Sequence, residues 1–218
     1  MKLQLIWDMD GTLVNSEPEI LATIEKALDK YGLSIKDAKR TLQIGPPLPD
    51  MLRRAFTKEQ LSDDKMDDVI SLFRAIYDIS DFYDTIPFEG IDDIIHSKDY
   101  VHHVITNKPE YATKRIIEKK GWVGCFENVF SPDSFLKGEG RKLNKVELFK
   151  TFRSMYNEAN AVGIGDMAKD AECAKAIGIP TVGVLWGTGC KEELQEAGCE
   201  DIVSNVEELR SVLEKYCE

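Results

Sequence analysis

The sequence predicts an α/β protein with a doubly wound, mostly parallel sheet and a block of helices inserted after the first strand. The second half of the chain alternates short apolar runs with helical patterns of about ten residues or more, which is typical of parallel strands joined by helices. The block near the start shows helical spacing without strand-like alternation. With 218 residues, the chain is long enough for a buried core and a small insert.

The first strand and the insert are predicted by apolar spacing and by residues that end helices. An apolar run over residues 3–7 indicates a buried strand. In the insert, Pro18 suits the first turn of a helix and Gly32 its end, and Ser34 with Asp37 suits the cap of a second helix. The predicted helices of the insert cover residues 18–31, 34–42, 51–56 and 59–77.

From residue 88 onward, helices and strands are predicted in alternation. The helices cover residues 91–96, 109–120, 146–156, 168–177 and 206–216, with one more short helix before residue 201. The strands cover residues 100–105, 126–130, 161–164, 181–185 and 201–203. This order predicts the parallel sheet.

Two carboxylates, Asp8 and Asp10, follow the first strand, and a glycine and a hydroxyl come directly after them. Residues two apart in a strand point the same way, so a chain leaving that strand could aim both side chains into one small volume. Like charges at that distance repel and are costly to bury. The pair therefore indicates a bound metal, a proton-transfer task, or both.

Polar residues also follow two other predicted strands. Thr106 and Asn107 come directly after one, and Asp166 after another, with Asp170 one helical turn further on. Because ligands of such sheets bind beyond the carboxyl ends of the strands, these groups are predicted to converge at one edge.

The composition excludes some classes of binding partner and indicates a compartment. A net charge of −11 and a pI near 4.9 argue against nucleic acid or an anionic membrane as a partner. Five scattered cysteines without a C-x-x-C pair, and no signal peptide or apolar run long enough to span a bilayer, lead us to expect a cytoplasmic protein. We expect a monomer or homodimer.

Taken in order, these motifs resemble those of phosphatases in the haloacid dehalogenase superfamily. The family's D-x-D-G-T stands at residues 8–12, its strand-end Ser/Thr is Thr106, and its G-D-x-x-x-D stands at residues 165–170. The resemblance extends through residues 171–181 and 186–187. It implies a Rossmann-like core, here residues 1–14 and 88–218, with an all-helical cap domain at residues 15–87 and hinges near its two ends.

The resemblance also implies roles for the site residues. Asp8 would be the nucleophile that forms an aspartyl-phosphate, and Asp10 would protonate the leaving oxygen and later deprotonate water. Dehalogenases of the superfamily lack an acid–base carboxylate at the position of Asp10, because a halide leaves without a proton. The presence of Asp10 therefore argues against dehalogenase activity. Thr106, the N–H of Asn107 and the turn at Gly11 and Thr12 would hold phosphate oxygens.

A Mg²⁺ ion is implied in the same way. Its protein ligands would be the Asp8 and Asp166 carboxylates and the backbone carbonyl of Asp10. Asp170 would either bind the ion as well or orient one of these ligands.

The family's lysine motif is where the sequence departs from the pattern, because the usual K-P-x-P is absent. Asn144 and Glu147 have the spacing of a capping box, which places Lys145 at the first position of a helix. Lys142 matches the K-P-x-P placement instead. We favour Lys145, and Lys142 stays the alternative.

The predicted function is that of a Mg²⁺-dependent phosphatase of a small phosphorylated metabolite. The cap-loop sequence at residues 44–48 and Trp186-Gly187 resemble the phosphoglycolate-phosphatase-like subgroup, so phosphoglycolate is the leading substrate. The alternatives are a phosphosugar mutase of the β-phosphoglucomutase type, which would share these core residues, and a catalytically idle binding module on the same fold.

Overall fold

The computed structural model describes residues 2–38, 42–135 and 140–217. The chain divides into two compact units. The core unit consists of Met1–Asn15 and Pro87–Glu218, and the helical unit consists of Ser16–Ile86.

The core unit contains a parallel sheet of six strands. In chain order, the strands of the protein are β1 (Gln4–Trp7), β2 (Val14–Asn15), β3 (Ile86–Pro87), β4 (Val101–Ile105), β5 (Phe126–Phe130), β6 (Ala161–Gly165), β7 (Thr181–Val184) and β8 (Asp201–Val203). The six-stranded sheet has the order β5-β4-β1-β6-β7-β8, and every pair in it is parallel. The two-residue strands β2 and β3 form a separate sheet, which the helical pattern of the insert did not predict.

The topology explains where a site can form. From β1 the chain moves outward through β4 and β5, then returns to place β6 on the other side of β1. Apart from the half-buried Gln4, the residues of the central strands β1 and β6 are buried, as expected for strands covered on both faces. The order reverses at β1, and ligands of doubly wound sheets bind at such a reversal, beyond the carboxyl ends of the strands. The predicted fold class is confirmed.

Helices surround this sheet and make up the helical unit. In chain order they are α1 (Glu17–Asp29), α2 (Leu48–Ala55), α3 (Asp63–Tyr77), α4 (Ile91–His96), α5 (Glu110–Lys119), α6 (Lys145–Met155), α7 (Ala168–Lys175), α8 (Lys191–Ala197) and α9 (Val206–Lys215). Among the residues that the structure describes, none of these helices combines the length and apolar character needed to cross a membrane.

The second helix predicted in the insert is wrong beyond its first turn. Ser34 and Asp37 do form a capping box, but the turn they cap is the single 3-10 turn Ile35–Asp37, and the next residue, Ala38, is extended. The Glu25 carboxylate of α1 accepts hydrogen bonds from the Ser34 hydroxyl (2.7 Å) and the Ile35 N–H (2.6 Å). This contact fixes a short turn against α1. Leu42 is not helical, and residues 39–41 of the predicted helix lie outside the described residues.

Two other helix starts differ from prediction by more than one residue. α2 begins three residues early because Pro47 caps it and Pro49 occupies its first turn, where the missing N–H costs no hydrogen bond. α3 begins four residues late. The N–H and hydroxyl of Thr57 both donate to the Gln60 side chain, which stabilises a separate turn, and an extended Ser62 then caps the helix.

The amino-terminal half of strands β1 and β4 contains a buried polar group that we call the histidine cluster. His102 and His103 of β4 are 3% and 0% exposed. The Trp7 indole N–H donates to His102 Nδ1 (3.1 Å), and His103 Nε2 lies 2.8 Å from Gln4 Oε1. Burial lowers the pKa of each imidazole to about 4, so both are neutral near pH 7. The cluster is a hydrogen-bonded part of the core, in keeping with the position of both histidines near the start of a strand.

Candidate active site

The site begins with the turn after β1. The Asp8 N–H donates to the Ile164 carbonyl (2.9 Å), which continues the pairing with β6 one residue beyond the strand. The turn then closes with a hydrogen bond from the Gly11 N–H to the Val14 carbonyl (2.9 Å). Gly11 has φ +85°, and a Cβ there would lie 2.3 Å from Asp166 Oδ2. Glycine is required at this position because both the backbone angle and the carboxylate exclude a side chain.

Three buried carboxylates, Asp8, Asp166 and Asp170, form what we call the aspartate cluster. One oxygen of each lies within 4.8 Å of the others, and it is the one group of three or more potential metal ligands among the residues that the structure describes. Burial, with added repulsion from Asp170 and Asp166, raises the pKa of Asp8 to about 8. Burial and Asp170 raise the pKa of Asp166 to about 6, although hydrogen bonds oppose the shift. Carboxylates this close favour a bound cation.

Lys145 supplies the positive charge of the cluster. Its Nζ lies 2.7 Å from Asp8 Oδ1 and 2.5 Å from Asp170 Oδ1, and its side chain is buried. Burial lowers the pKa of this ammonium, but the Asp170 and Asp8 carboxylates outweigh that effect and raise it above its ordinary value. The lysine is therefore charged.

The predicted capping box explains how Lys145 reaches this position. The Asn144 side chain accepts a hydrogen bond from the Glu147 N–H (3.0 Å), and the Glu147 carboxylate accepts one from the Asn144 N–H (2.9 Å). The box is confirmed, and α6 begins at Lys145. Lys142, the alternative, is exposed. The catalytic role of Lys145 stays a prediction.

Two threonines fix the Asp166 carboxylate. The Thr12 hydroxyl donates to Oδ1 (3.1 Å), and both the N–H and the hydroxyl of Thr188 donate to Oδ2 (2.9 and 3.1 Å). The Trp186 indole N–H donates to the Thr12 carbonyl (3.0 Å), which ties the two loops together. Sequence reasoning missed Thr188, although it follows strand β7 as the other site residues follow theirs.

Asp170 is fixed from its own helix. The Met167 N–H donates to Asp170 Oδ2 (3.1 Å) at the start of α7, while the other oxygen contacts Lys145. The backbone of β6 approaches closely, since a Cβ at Gly165 would lie 2.3 Å from Asp170 Oδ2. Any larger residue at position 165 would displace this carboxylate.

The Asp10 carboxylate lies apart from the aspartate cluster. Its Oδ1 is 3.2 Å from the Nζ of Lys108, whose side chain is 5% exposed. Asp10 was predicted to bind metal through its carbonyl, so this placement leaves that prediction open. Sequence reasoning missed Lys108, which stands directly after Thr106 and Asn107 at the end of β4.

The predicted phosphate ligands lie at the same edge of the sheet. Thr106 is buried at the end of β4, and its hydroxyl accepts a hydrogen bond from the Lys108 N–H (3.1 Å), while Asn107 is half-buried. The Gly11 N–H and the Thr12 hydroxyl are engaged with Val14 and Asp166. Their phosphate-binding roles stay predictions.

The donor set fits Mg²⁺. The aspartate cluster offers only carboxylate oxygens, the hard ligands that this ion prefers, and it carries three acidic groups against one ammonium. Asp8, Asp166 and Asp170 are the side chains that could hold the ion.

Comparison with known proteins identifies relatives over nearly the whole chain. The profile of the family described as haloacid dehalogenase-like hydrolase matches residues 5–184. The chain is 29% identical to a phosphoglycolate phosphatase of Aquifex aeolicus over 84% of each chain, and 22% identical to a 5'-nucleotidase of Pseudomonas aeruginosa over 97% of this chain and 96% of that one. The crystal structure of a predicted phosphatase from Clostridium acetobutylicum has a TM-score of 0.80 at 25% identity, covering 98% and 99% of the two chains.

Proposed function

This chain belongs to the haloacid dehalogenase-like hydrolases and is a phosphatase of that family, and on this premise we propose that it hydrolyses a small phosphomonoester through an aspartyl-phosphate on Asp8. The observation that carries the proposal is the aspartate cluster with Lys145 at the point where the strand order reverses. Among the described residues this is the one group of three or more potential metal ligands, and Lys145 is buried against two of its carboxylates.

In the first half-reaction, an oxygen of Asp8 attacks phosphorus, and the bond from phosphorus to the leaving oxygen breaks. Asp10 gives its proton to that oxygen, which departs as an alcohol. Lys145 holds the attacking carboxylate in place and balances the charge brought by the phosphoryl group. Asp8 then carries the phosphoryl group as a mixed anhydride.

In the second half-reaction, Asp10 takes a proton from water as the water oxygen attacks phosphorus. The bond between phosphorus and Asp8 breaks, which releases inorganic phosphate and restores both side chains over the full cycle. Thr106, which is buried at the end of β4, and the Asn107 N–H would hold phosphoryl oxygens through both steps. When bound by the aspartate cluster, Mg²⁺ would neutralise part of the phosphoryl charge.

For the substrate we propose a small soluble phosphoester, with phosphoglycolate first. Supporting this choice, several of the curated relatives are named phosphoglycolate phosphatase, although one is named 5'-nucleotidase. We also propose that residues 15–87 act as a cap that closes over the substrate and excludes water. A cap of this size favours small metabolites over proteins.

A phosphate-release screen tests the proposal. The purified protein with Mg²⁺ is offered small phosphoesters, including phosphoglycolate, nucleoside monophosphates and phosphosugars, and Asp8→Asn serves as the blank. We expect inorganic phosphate from at least one alkyl phosphate with the wild-type enzyme and none above background with the variant. Release by both proteins, or by neither, would overturn the proposal.

The same screen separates a mutase from a phosphatase. A phosphosugar mutase would depend on a bisphosphate activator and conserve total ester phosphate, whereas the proposed enzyme converts ester phosphate into inorganic phosphate. The idle binding module would give no turnover of any ester.

A further inference from the structure

The ion pair between Lys108 and Asp10 has no role in the mechanism above. The Lys108 ammonium lies 3.2 Å from Asp10 Oδ1, and the side chains are 5% and 13% exposed. An ammonium removed from water to this extent is costly unless a partner compensates for it. Lys108 is nevertheless a second buried lysine beside the site, and it pairs with a carboxylate that Lys145 does not contact.

Two threonine hydroxyls contact the backbone of Lys108. Its N–H donates to the Thr106 hydroxyl (3.1 Å), and its carbonyl accepts from the Thr113 hydroxyl (3.4 Å). The Thr113 hydroxyl also lies 3.0 Å from the Pro109 carbonyl, where α5 begins. The backbone of Lys108 is therefore held between the end of β4 and the start of α5, and its buried side chain extends from there to Asp10.

We propose that Lys108 is a positioning residue that holds the Asp10 carboxylate for proton transfer and stabilises the charge that Asp10 acquires. As the bond from phosphorus to the leaving oxygen breaks, that oxygen takes the proton of Asp10. Negative charge then develops on Asp10 beside a fixed ammonium, which favours the transfer. The inference rests on the proposed function, because it assigns Lys108 to the acid–base half of that site.

The division between the two lysines follows from their contacts. Lys145 touches Asp8 and Asp170, so its loss affects the nucleophile. Lys108 pairs with Asp10, so its loss is expected to affect the steps in which Asp10 moves a proton. Substrates that differ in their need for a proton therefore distinguish the two residues.

The test compares Lys108→Met and wild type on two esters. Phosphoglycolate, an alkyl phosphate, releases a poor leaving group that needs a proton, whereas p-nitrophenyl phosphate releases a phenolate that leaves without one. We expect kcat/KM of the variant to fall roughly 10- to 100-fold on the alkyl ester and only about 3-fold or less on the aryl ester, a smaller loss than the roughly 10²- to 10⁴-fold of general acid catalysis because Asp10 itself is retained. Asp10→Asn should show the same selectivity.

Equal losses on both esters, or no loss on either, would overturn the inference. Lys114→Met is the matched control, because Lys114 pairs with Glu110 on the exposed face of α5 and should leave both rates unchanged. If wild-type protein releases phosphate from neither ester nor from any member of the screen, the proposed function fails first. If the wild type is active but Lys108→Met loses activity equally on both esters, only the proposed role of Lys108 is contradicted.

A second measurement covers the case in which Lys108→Met does not fold. The double variant Asp10→Asn, Lys108→Met removes both members of the ion pair, so it should fold at least as well as either single variant. If Lys108 acts through Asp10, the double variant matches Asp10→Asn on the alkyl ester within about 2-fold, since coupled residues are not additive. A further loss of 10-fold or more, which independent action would cause, contradicts the inference.

Discussion

Strands β1 and β4 border two buried polar groups that satisfy their polar atoms in different ways. The histidine cluster, at the amino-terminal half of the strands, contains neutral rings that are hydrogen-bonded to Trp7 and Gln4. The aspartate cluster, beyond the carboxyl ends, brings three carboxylates together with the single ammonium of Lys145. The first group is complete within the chain, whereas the second carries an excess of negative charge.

The difference is the one expected between a structural polar group and the proposed active site. Burial neutralises the imidazoles, so the histidine cluster adds hydrogen bonds without burying charge. The aspartate cluster keeps charges that repel one another, which costs stability unless a cation or substrate binds. A folded chain retains such an arrangement where activity requires it. The variants below, ordered from the largest expected effect to the smallest, test this distinction.

Asp8→Asn should have the largest effect, and its effects on activity and stability should have opposite signs. We expect phosphate release to fall by roughly 10⁴-fold or more because the proposed nucleophile is lost. In metal-free buffer at pH 7, the free energy of unfolding should stay equal or rise, because burial raises the pKa of Asp8 to about 8 and the ionised form is disfavoured. Urea denaturation with EDTA and the phosphate assay measure the two effects. A destabilised variant would show that Asp8 supports the fold.

Lys145→Ala should reduce both activity and stability. Removing the ammonium leaves Asp8 and Asp170 buried without their partner, which costs about 3 kcal/mol of unfolding free energy, and turnover should fall by roughly 10²- to 10³-fold. Lys142→Ala is the control, since Lys142 is exposed and should change neither quantity. Loss of turnover only in the Lys142 variant would assign the lysine role to Lys142.

The sequence allowed the sheet and the strand-end residues to be predicted because both follow local rules. Apolar runs predicted the strands, and the carboxyl ends of parallel strands meet at one edge, which brought Asp8, Thr106 and Asp166 into one region. Capping-box spacing predicted the start of α6 and hence the position of Lys145. These inferences need only spacing along the chain.

The missed features depend on contacts between distant segments. The turn at Ile35–Asp37 is short because Glu25 of α1 contacts it, which no local pattern contains. Thr188 and Lys108 also follow strands, but their roles depend on which carboxylate lies opposite, Asp166 or Asp10. Applying the strand-end rule to every residue up to four positions beyond a strand would have included both.

Thr188→Val should have a smaller effect, confined to the aspartate cluster. The change removes a hydroxyl that donates to Asp166 Oδ2 but keeps the backbone N–H that donates to the same atom. We expect affinity for Mg²⁺ to fall about 10-fold, as for other residues that orient metal ligands. Calorimetric Mg²⁺ titration of the purified protein measures this directly.

Thr181→Val is the matched control for that experiment. Thr181 is a buried threonine of the core unit whose hydroxyl finds no hydrogen-bond partner within the part of the chain that the structure describes. Its loss should leave Mg²⁺ affinity unchanged and should not lower stability. Equal weakening by both variants would show that general loosening of the core, and not the orientation of Asp166, controls the ion.

The pH dependence of stability should have opposite signs for the two clusters. His102 and His103 have folded-state pKa values near 4, below the ordinary value of 6.5, so the unfolded chain binds more protons between these values. Their contribution is present above about pH 6.5 and is lost as the pH falls toward 4. Asp8, with a pKa raised to about 8, contributes stability at low pH that is lost as the pH rises through 8.

Single variants separate these contributions in urea denaturation series from pH 4.5 to 8 with EDTA. His103→Gln should flatten the loss of stability on the acid side, even if it lowers stability at every pH, because one proton-binding difference has been removed. His96→Gln is the control, since His96 is exposed and outside the histidine cluster. Asp8→Asn should instead gain most over wild type near pH 8. If His103→Gln leaves the loss of stability at acid pH unchanged, protonation of the histidines does not cause that loss. The histidine cluster would then no longer be the neutral counterpart of the aspartate cluster.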